Sequence, residues 1–445
     1  MRGSDPIQNS GLPLDGGPQV TPDDGGTGWH GWPIGVRCAA VLLAFVLVTI
    51  AAPVRADDHR TPYLPASADV VLQQVPSSSD PRVRQFDQLR ADVHRHPTDM
   101  SLTLKLADAY IGYGRSTGDA RYLGRAQAVI DPWMQQKRVP VPILLTHATI
   151  LQSRHFFAES RTELKSILAR DPGNVQAWLT LATVAMVQGD YPAANDSCVH
   201  LANVGGDFYG QLCTAQLRAL TGHARQAWVL LSLIEDPGPK APVAVKAYVQ
   251  GLLADTAKQL GNNEQAEVHF KAALQLTPGD NFLLADYGDF LLDQGRPRDV
   301  VALLKDYTQS DTSFLRLVFA EAALGSPHTQ RDIDDMQARF AAMDRRGSHV
   351  YRREEAGFEL YLRHDPAGAL KLAEQNWTVQ RAPKDMRVFL EAALAAGQPQ
   401  AAQPVLDLLA DSHLEDPPVN QLVVKIAAAR VADDSDVASR AEAHR

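Results

Sequence analysis

Apolar residues recur along this chain at helical spacing, and its clearest stretch says the same thing twice. Ala247–Asp280 and the segment from Asn281 to Tyr307 each read as two amphipathic helices of about thirteen residues. Each pair is broken by one glycine, Gly261 in the first and Gly295 in the second. Leu253, Ala254 and Ala257 form an apolar stripe on a first helix, and Ala266, Phe270 and Ala273 form one on its partner. The two glycines stand 34 residues apart, a period that marks a stacked repeat. Each helix pair leaves an apolar ridge that only the next pair can cover, so the unit is stable in a stack and not alone. Pro278-Gly279-Asp280 closes one unit and opens the next, with Asp280 placed to accept the unpaired N–H groups of the following helix. Gly261 followed by Asn262 suits a helix stop.

The same pattern divides the rest of the chain. Residues 1–33 are rich in Gly, Pro and Asp and are expected to be a disordered leader. Residues 34–56 carry the strongly apolar run Cys38–Val54, with Arg37 just ahead of it and small or modest side chains at Val54 and Ala56. This reads as a secretory signal cleaved between Ala56 and Asp57. The alternative is an uncleaved anchor over 34–54, although Arg37 limits its clean apolar core to 17 residues. A linker follows over 57–79, then a helical solenoid over 80–431, clearest in 141–310, and a tail at 432–445 that should fray. Within the solenoid, Asp80–His94 is a lone opening helix and Pro417–Val431 a closing one.

The repeat offsets resemble those of the tetratricopeptide-repeat family, in its exported bacterial form. They are carried by Trp178, Leu181, Ala182, Gly189, Tyr191 and Ala194 in one unit, and by Ala254, Gly261, Ala266, Phe270, Ala273 and Pro278 in another. The likeness covers most of Met100–Leu409. It implies an all-α solenoid of stacked antiparallel helix pairs wound into a right-handed superhelix. It also implies a concave groove, lined by the first helix of each pair, that takes extended or helical segments of a protein partner. Carried onto this sequence, that groove is Gln176, Leu179, Thr183, Met186 and Val187, then Tyr248, Gly251 and Asp255, then Phe282, Ala285 and Asp289. The Lys, Asn and Arg of the family's two-carboxylate clamp are missing there, which argues against chaperone tails as ligands.

Composition narrows the function further. Hydrophobic residues make up 45%, charged 21% and aromatic 7%, and the net charge is −9 with no basic stripe, so nucleic acid is not the expected partner. Cys198 and Cys213 fall late on one helix and early on the next, which would pack together. A disulfide suits them in an oxidising compartment, and two small buried thiols are the alternative. His94, His96, His147, His155 and His364 lack metal-ligand spacing, so no metal site is expected. No phosphate loop or nucleophile elbow is present, and no cofactor or catalytic residue is assigned. Arg352, Arg353, Glu354 and Glu355 form the densest charge cluster and read as surface. The expectation is a non-catalytic scaffold or adaptor, exported to the periplasm, that holds a protein partner. The alternative is a membrane-anchored structural or assembly component of a secretion or surface-polymer machine.

Overall fold

The computed structural model describes residues 81–345 and 351–443. The leader, the apolar run with its Ala56–Asp57 junction and the linker therefore lie outside the described residues. Among those described there are nineteen α-helices, one 3-10 turn and no strand, and no helix is long and apolar enough to cross a membrane.

Helix α1 (Pro81–Arg95) opens the array by packing on α2 (Met100–Thr117), which pairs with α3 (Arg121–Met134). The pairs α4 (Val141–Ser153) with α5 (Phe157–Arg170), and α6 (Val175–Val187) with the first part of α7 (Tyr191–Leu220), follow. Gly206 breaks α7 with φ 79° and ψ 178°. The two parts fold back so closely that a Cβ on Gly210 would sit 2.5 Å from that of Ala202. Cys198 and Cys213 face each other across this hairpin and are joined, with Cα atoms 5.5 Å apart. The second part of α7 pairs with α8 (Ala224–Leu233). Then come α9 (Val243–Gln259) with α10 (Asn263–Leu276), α11 (Asn281–Asp293) with α12 (Pro297–Leu304), and α13 (Asp311–Leu324) with α14 (Thr329–Arg345). The last pairs are α15 (Arg352–Tyr361) with α16 (Pro366–Trp377), and α17 (Pro383–Ala395) with α18 (Gln403–Ser412). The closing α19 runs from Pro417 to Ala443, in an alanine-rich stretch where no Gly or Pro follows Pro418.

Local chemistry repeats with the pairs. Asp280 accepts from the backbone N–H of Phe282 and Leu283 at 2.9 and 3.1 Å, and Asn174, Asp190, Asn262 and Asp365 cap their helices in the same way. Turns between paired helices pass through a left-handed residue, Gly261 (φ 72°) and Gly295 (φ 67°) among them. His155 (φ 53°) and His364 (φ 55°) hold that place between α4 and α5 and between α15 and α16. The core is strung out as successive clusters from Phe86 to Ile426, as expected where each pair covers its neighbour.

The superhelix closes on itself. Late elements pack against the turns and inner faces of early ones. The amide of Arg381 donates to the carbonyl of Val187 at 2.8 Å, and Leu408 of α18 joins the apolar cluster of α6 and α7. Glu415 accepts from the first N–H of α8, at Ala224, at 3.0 Å. The Tyr351 hydroxyl donates to the Gly118 carbonyl at 3.3 Å. At Gly222 the approach is tightest, since a Cβ there would lie 2.5 Å from the carbonyl oxygen of His413.

Gly222 (φ 71°) and Gly261 (φ 72°) share one backbone conformation, but only Gly222 is in contact with the far end of the chain. Alanine carries the same left-handed strain at both. Urea denaturation should therefore show Gly222→Ala costing about 1–3 kcal/mol more than Gly261→Ala, because a backbone carbonyl has to move.

Candidate functional site

Closure leaves a cavity of about 900 Å³ along the inner side of the second half of the superhelix. Apolar side chains such as Leu252, Leu315, Phe319 and Val388 line it together with a mesh of charges.

Each wall helix contributes charges from its inward face. Asp255 and Lys258 stand one turn apart on α9, 3.6 Å from each other. Helix α11 presents Asp286, Asp289 and Asp293, at i, i+3 and i+7, so the three carboxylates share one face. Arg316 of α13 grips Asp289 with two bonds, at 2.8 and 3.0 Å, and reaches Glu354 at 3.6 Å. The first turn of α15 supplies Arg353 and Glu354, paired at 3.1 Å, and Arg353 also approaches Asp385 at 3.7 Å. Asp385 is tied to Asn376 at 2.9 Å and to the Ala382 amide at 2.8 Å. The first turn of α17 then crosses to α11. Lys384 bonds Asp286 and, at 3.2 Å, Asp289. Arg387 bonds Asp293 at 2.8 Å and Glu391 at 3.1 Å.

Burial and pairing compete at each of these groups. Burial alone would raise Asp289, but Arg316 and then Lys384 outweigh it and hold the carboxyl well below the usual range. Burial would lower Arg316, yet Asp289 keeps it above its ordinary value. At Arg353 burial wins and brings the guanidinium down to about 10, against the pull of Glu354 and Asp385. Burial also raises Glu354, Asp385 and Asp255, opposed in each case by the neighbouring cation. Asp286 and Asp289 are thus engaged by cations from two different helices. That arrangement suits recognition by charge. Among the described residues no group of three His, Cys, Asp or Glu stands close enough to hold a metal.

The residues that the resemblance assigned to a groove are not gathered into one. Asp255 and Asp289 line the cavity. Leu179, Thr183, Met186, Val187, Phe282 and Ala285 are buried by the chain itself. On α6 the cause is visible, because Val379 packs on Val187, Arg381 bonds it and Leu408 covers the cluster that holds Met186. Gln176 is half-buried and bonds Thr180, the Tyr248 hydroxyl donates to Gln216 at 3.0 Å, and Gly251 lies beneath Leu283. Arg353 and Glu354, expected at the surface, are buried at 2% and 5% exposure because α13 and α17 enclose the start of α15. The expectation missed Lys258, Asp286, Asp293, Arg316, Lys384 and Arg387. The i, i+3, i+7 spacing of the three aspartates was the available signal.

Residues 145–197 match the tetratricopeptide repeat family, the stretch that runs from α4 into α7. The solved structures with a similar fold include the human IFIT1 dimer with m7Gppp-AAAA, at 11% identity over 78% of this chain and 86% of that one, with a TM-score of 0.43. A tetratricopeptide repeat protein from Parabacteroides merdae is 14% identical over 57% of this chain and 93% of its own, at 0.35. Yeast Tom70 is 12% identical over 79% and 94%, at 0.33. No curated protein matches the chain by sequence.

Replacing Lys384 with methionine removes the cation but keeps most of its bulk, and leaves Asp286 uncompensated. Lys384→Met should cost about 2–4 kcal/mol in chemical denaturation. Asp289 is held below its ordinary value of 3.8, so its stabilisation is present above that pH and is lost as pH falls toward its folded-state value. Lys384→Met should therefore lose stability less steeply than the parent on acidification.

Proposed function

We propose that this tetratricopeptide-repeat chain is a non-catalytic scaffold that holds a protein partner through the inner surface of its superhelix. The observation that carries the reading is the cavity of about 900 Å³ walled by α9, α11, α13, α15 and α17. Its volume falls within the range of pockets that enclose a ligand, roughly 300–1,000 Å³. A few side chains of a partner fill such a space, with apolar walls for their bodies and paired charges for their polar ends. The carboxylates along it are engaged by Arg316, Lys384 and Arg387, which favours binding over proton transfer. A net charge of −9 without a basic stripe favours a protein over nucleic acid.

The scaffold acts outside the cytoplasm, as an exported periplasmic protein. Three features support this: the apolar run Cys38–Val54, the small side chains before Asp57, and a Cys198–Cys213 bridge of the kind that persists in oxidising compartments. Retention of the apolar run as an anchor would instead give a membrane-associated assembly component.

A photo-crosslinking residue placed at Phe319 or Val388 in the full chain should capture one and the same protein in its native host. The same probe at Val229, on an exposed face (52%), should not. Equal capture at all three positions, or none at the cavity positions, contradicts the reading. Mass spectrometry of the purified chain should find Asp57 at its N-terminus, whereas retention of residues 34–54 would favour the anchored alternative.

A further inference from the structure

The contact between α11 and the first turn of α17 has the form of a ligand in its site. One side is a row of carboxylates, Asp286, Asp289 and Asp293, along one face of a helix. The other is a pair of cations three residues apart, Lys384 and Arg387, while the Arg381 side chain turns back onto Trp377. Lys384 meets Asp286 and Asp289, Arg387 meets Asp293, and the Arg381 amide meets the Val187 carbonyl. The links of Lys384 and Arg387 are polar and directional, and a second chain with the same charge spacing can reproduce them. The seam is also reachable. The side chains of Arg387 and Asp293 are 34% and 26% exposed, and Asp289, Asp293, Lys384 and Arg387 line the 900 Å³ cavity, which gives room for one segment to leave as another enters.

We propose that the aspartate row of α11 is the docking surface for a basic segment of the partner, with two cations three residues apart. The first turn of α17 is its resident occupant, which the partner displaces. This deepens the scaffold reading above and rests on it. The partner is recognised by its cation spacing, and its binding opens the closed superhelix at α17. Interacting electrostatic rows of this kind set specificity more than affinity, which suits a latch that is exchanged.

The experiment uses the full chain and a labelled synthetic peptide of residues 378–396, which carries Lys384 and Arg387. In Lys384→Glu/Arg387→Glu the resident turn is repelled from the row, and the peptide should bind this variant about tenfold more tightly than it binds the parent. Adding Asp286→Asn and Asp289→Asn should abolish that gain. Equal binding to parent and variant, or none to either, overturns the proposal. A second measurement covers failure of the variant to fold. In the unaltered chain, excess peptide should speed hydrogen exchange across residues 381–395, and a peptide with both cations reversed to Glu should not. No change with the first peptide, or the same change with both, also overturns it. Light scattering of the unaltered chain shows whether it instead accepts this segment from a second copy of itself, in which case a dimer that Lys384→Glu/Arg387→Glu abolishes would make the external partner wrong. If a protein crosslinks at Phe319 and Val388 while the peptide leaves α17 undisturbed, the scaffold reading stands and the latch falls.

Discussion

The closed superhelix depends on the charges buried between α11 and α17. Taking Asp286, Asp289, Arg316, Arg353, Glu354 and Lys384 out of water is costly, and their mutual attraction offsets this only where the geometry is good. Here it is. Arg316 holds Asp289 through two bonds, and Lys384 bridges Asp289 and Asp286. Lys384 lies 98 residues from Asp286, on a different helix pair, so its part of the mesh forms only when the array has wound far enough to bring α17 beside α11. Apolar contacts hold neighbouring pairs together. The ion mesh acts with the contacts of Arg381 and Val379 on Val187, Leu408 on the α6–α7 cluster and Glu415 on α8 to close the array around the cavity.

Much of the fold could be read from the sequence because it is local. Gly261, Asp280 and the stripe of Ala266, Phe270 and Ala273 act within one helix pair, and period and caps suffice to place them. The inner surface was less legible because it is set by contacts between residues far apart in sequence. Arg381 against Val187 is one such contact, and His413 against Gly222 another. One signal was available. Helix α6, VQAWLTLATVAMV, is apolar around most of its circumference, and a helix of that kind is buried on several sides. A groove wall facing water would not look like that. Arg353 and Glu354 looked like surface for the complementary reason, since charge in sequence does not reveal whether Arg316 and Asp385 will meet it inside the fold.

Winding also divides the inner surface into two parts of different character. Along α6 it is filled by residues from Val379 to Leu408. From α9 to α17 it stays hollow and charged. A scaffold built this way does not present a uniform groove. It encloses a limited chamber bordered by the same ion pairs that join α11 to α17.

Zero-length carbodiimide crosslinking of the full chain in solution, read by mass spectrometry, tests the closure most directly. A closed superhelix gives a Lys384 crosslink to Asp286 or Asp289, formed alongside the surface pair Lys271–Glu267, which stands 2.7 Å apart on α10. Recovery of Lys271–Glu267 with no Lys384 crosslink to α11 would mean that the superhelix is open and would contradict this closure.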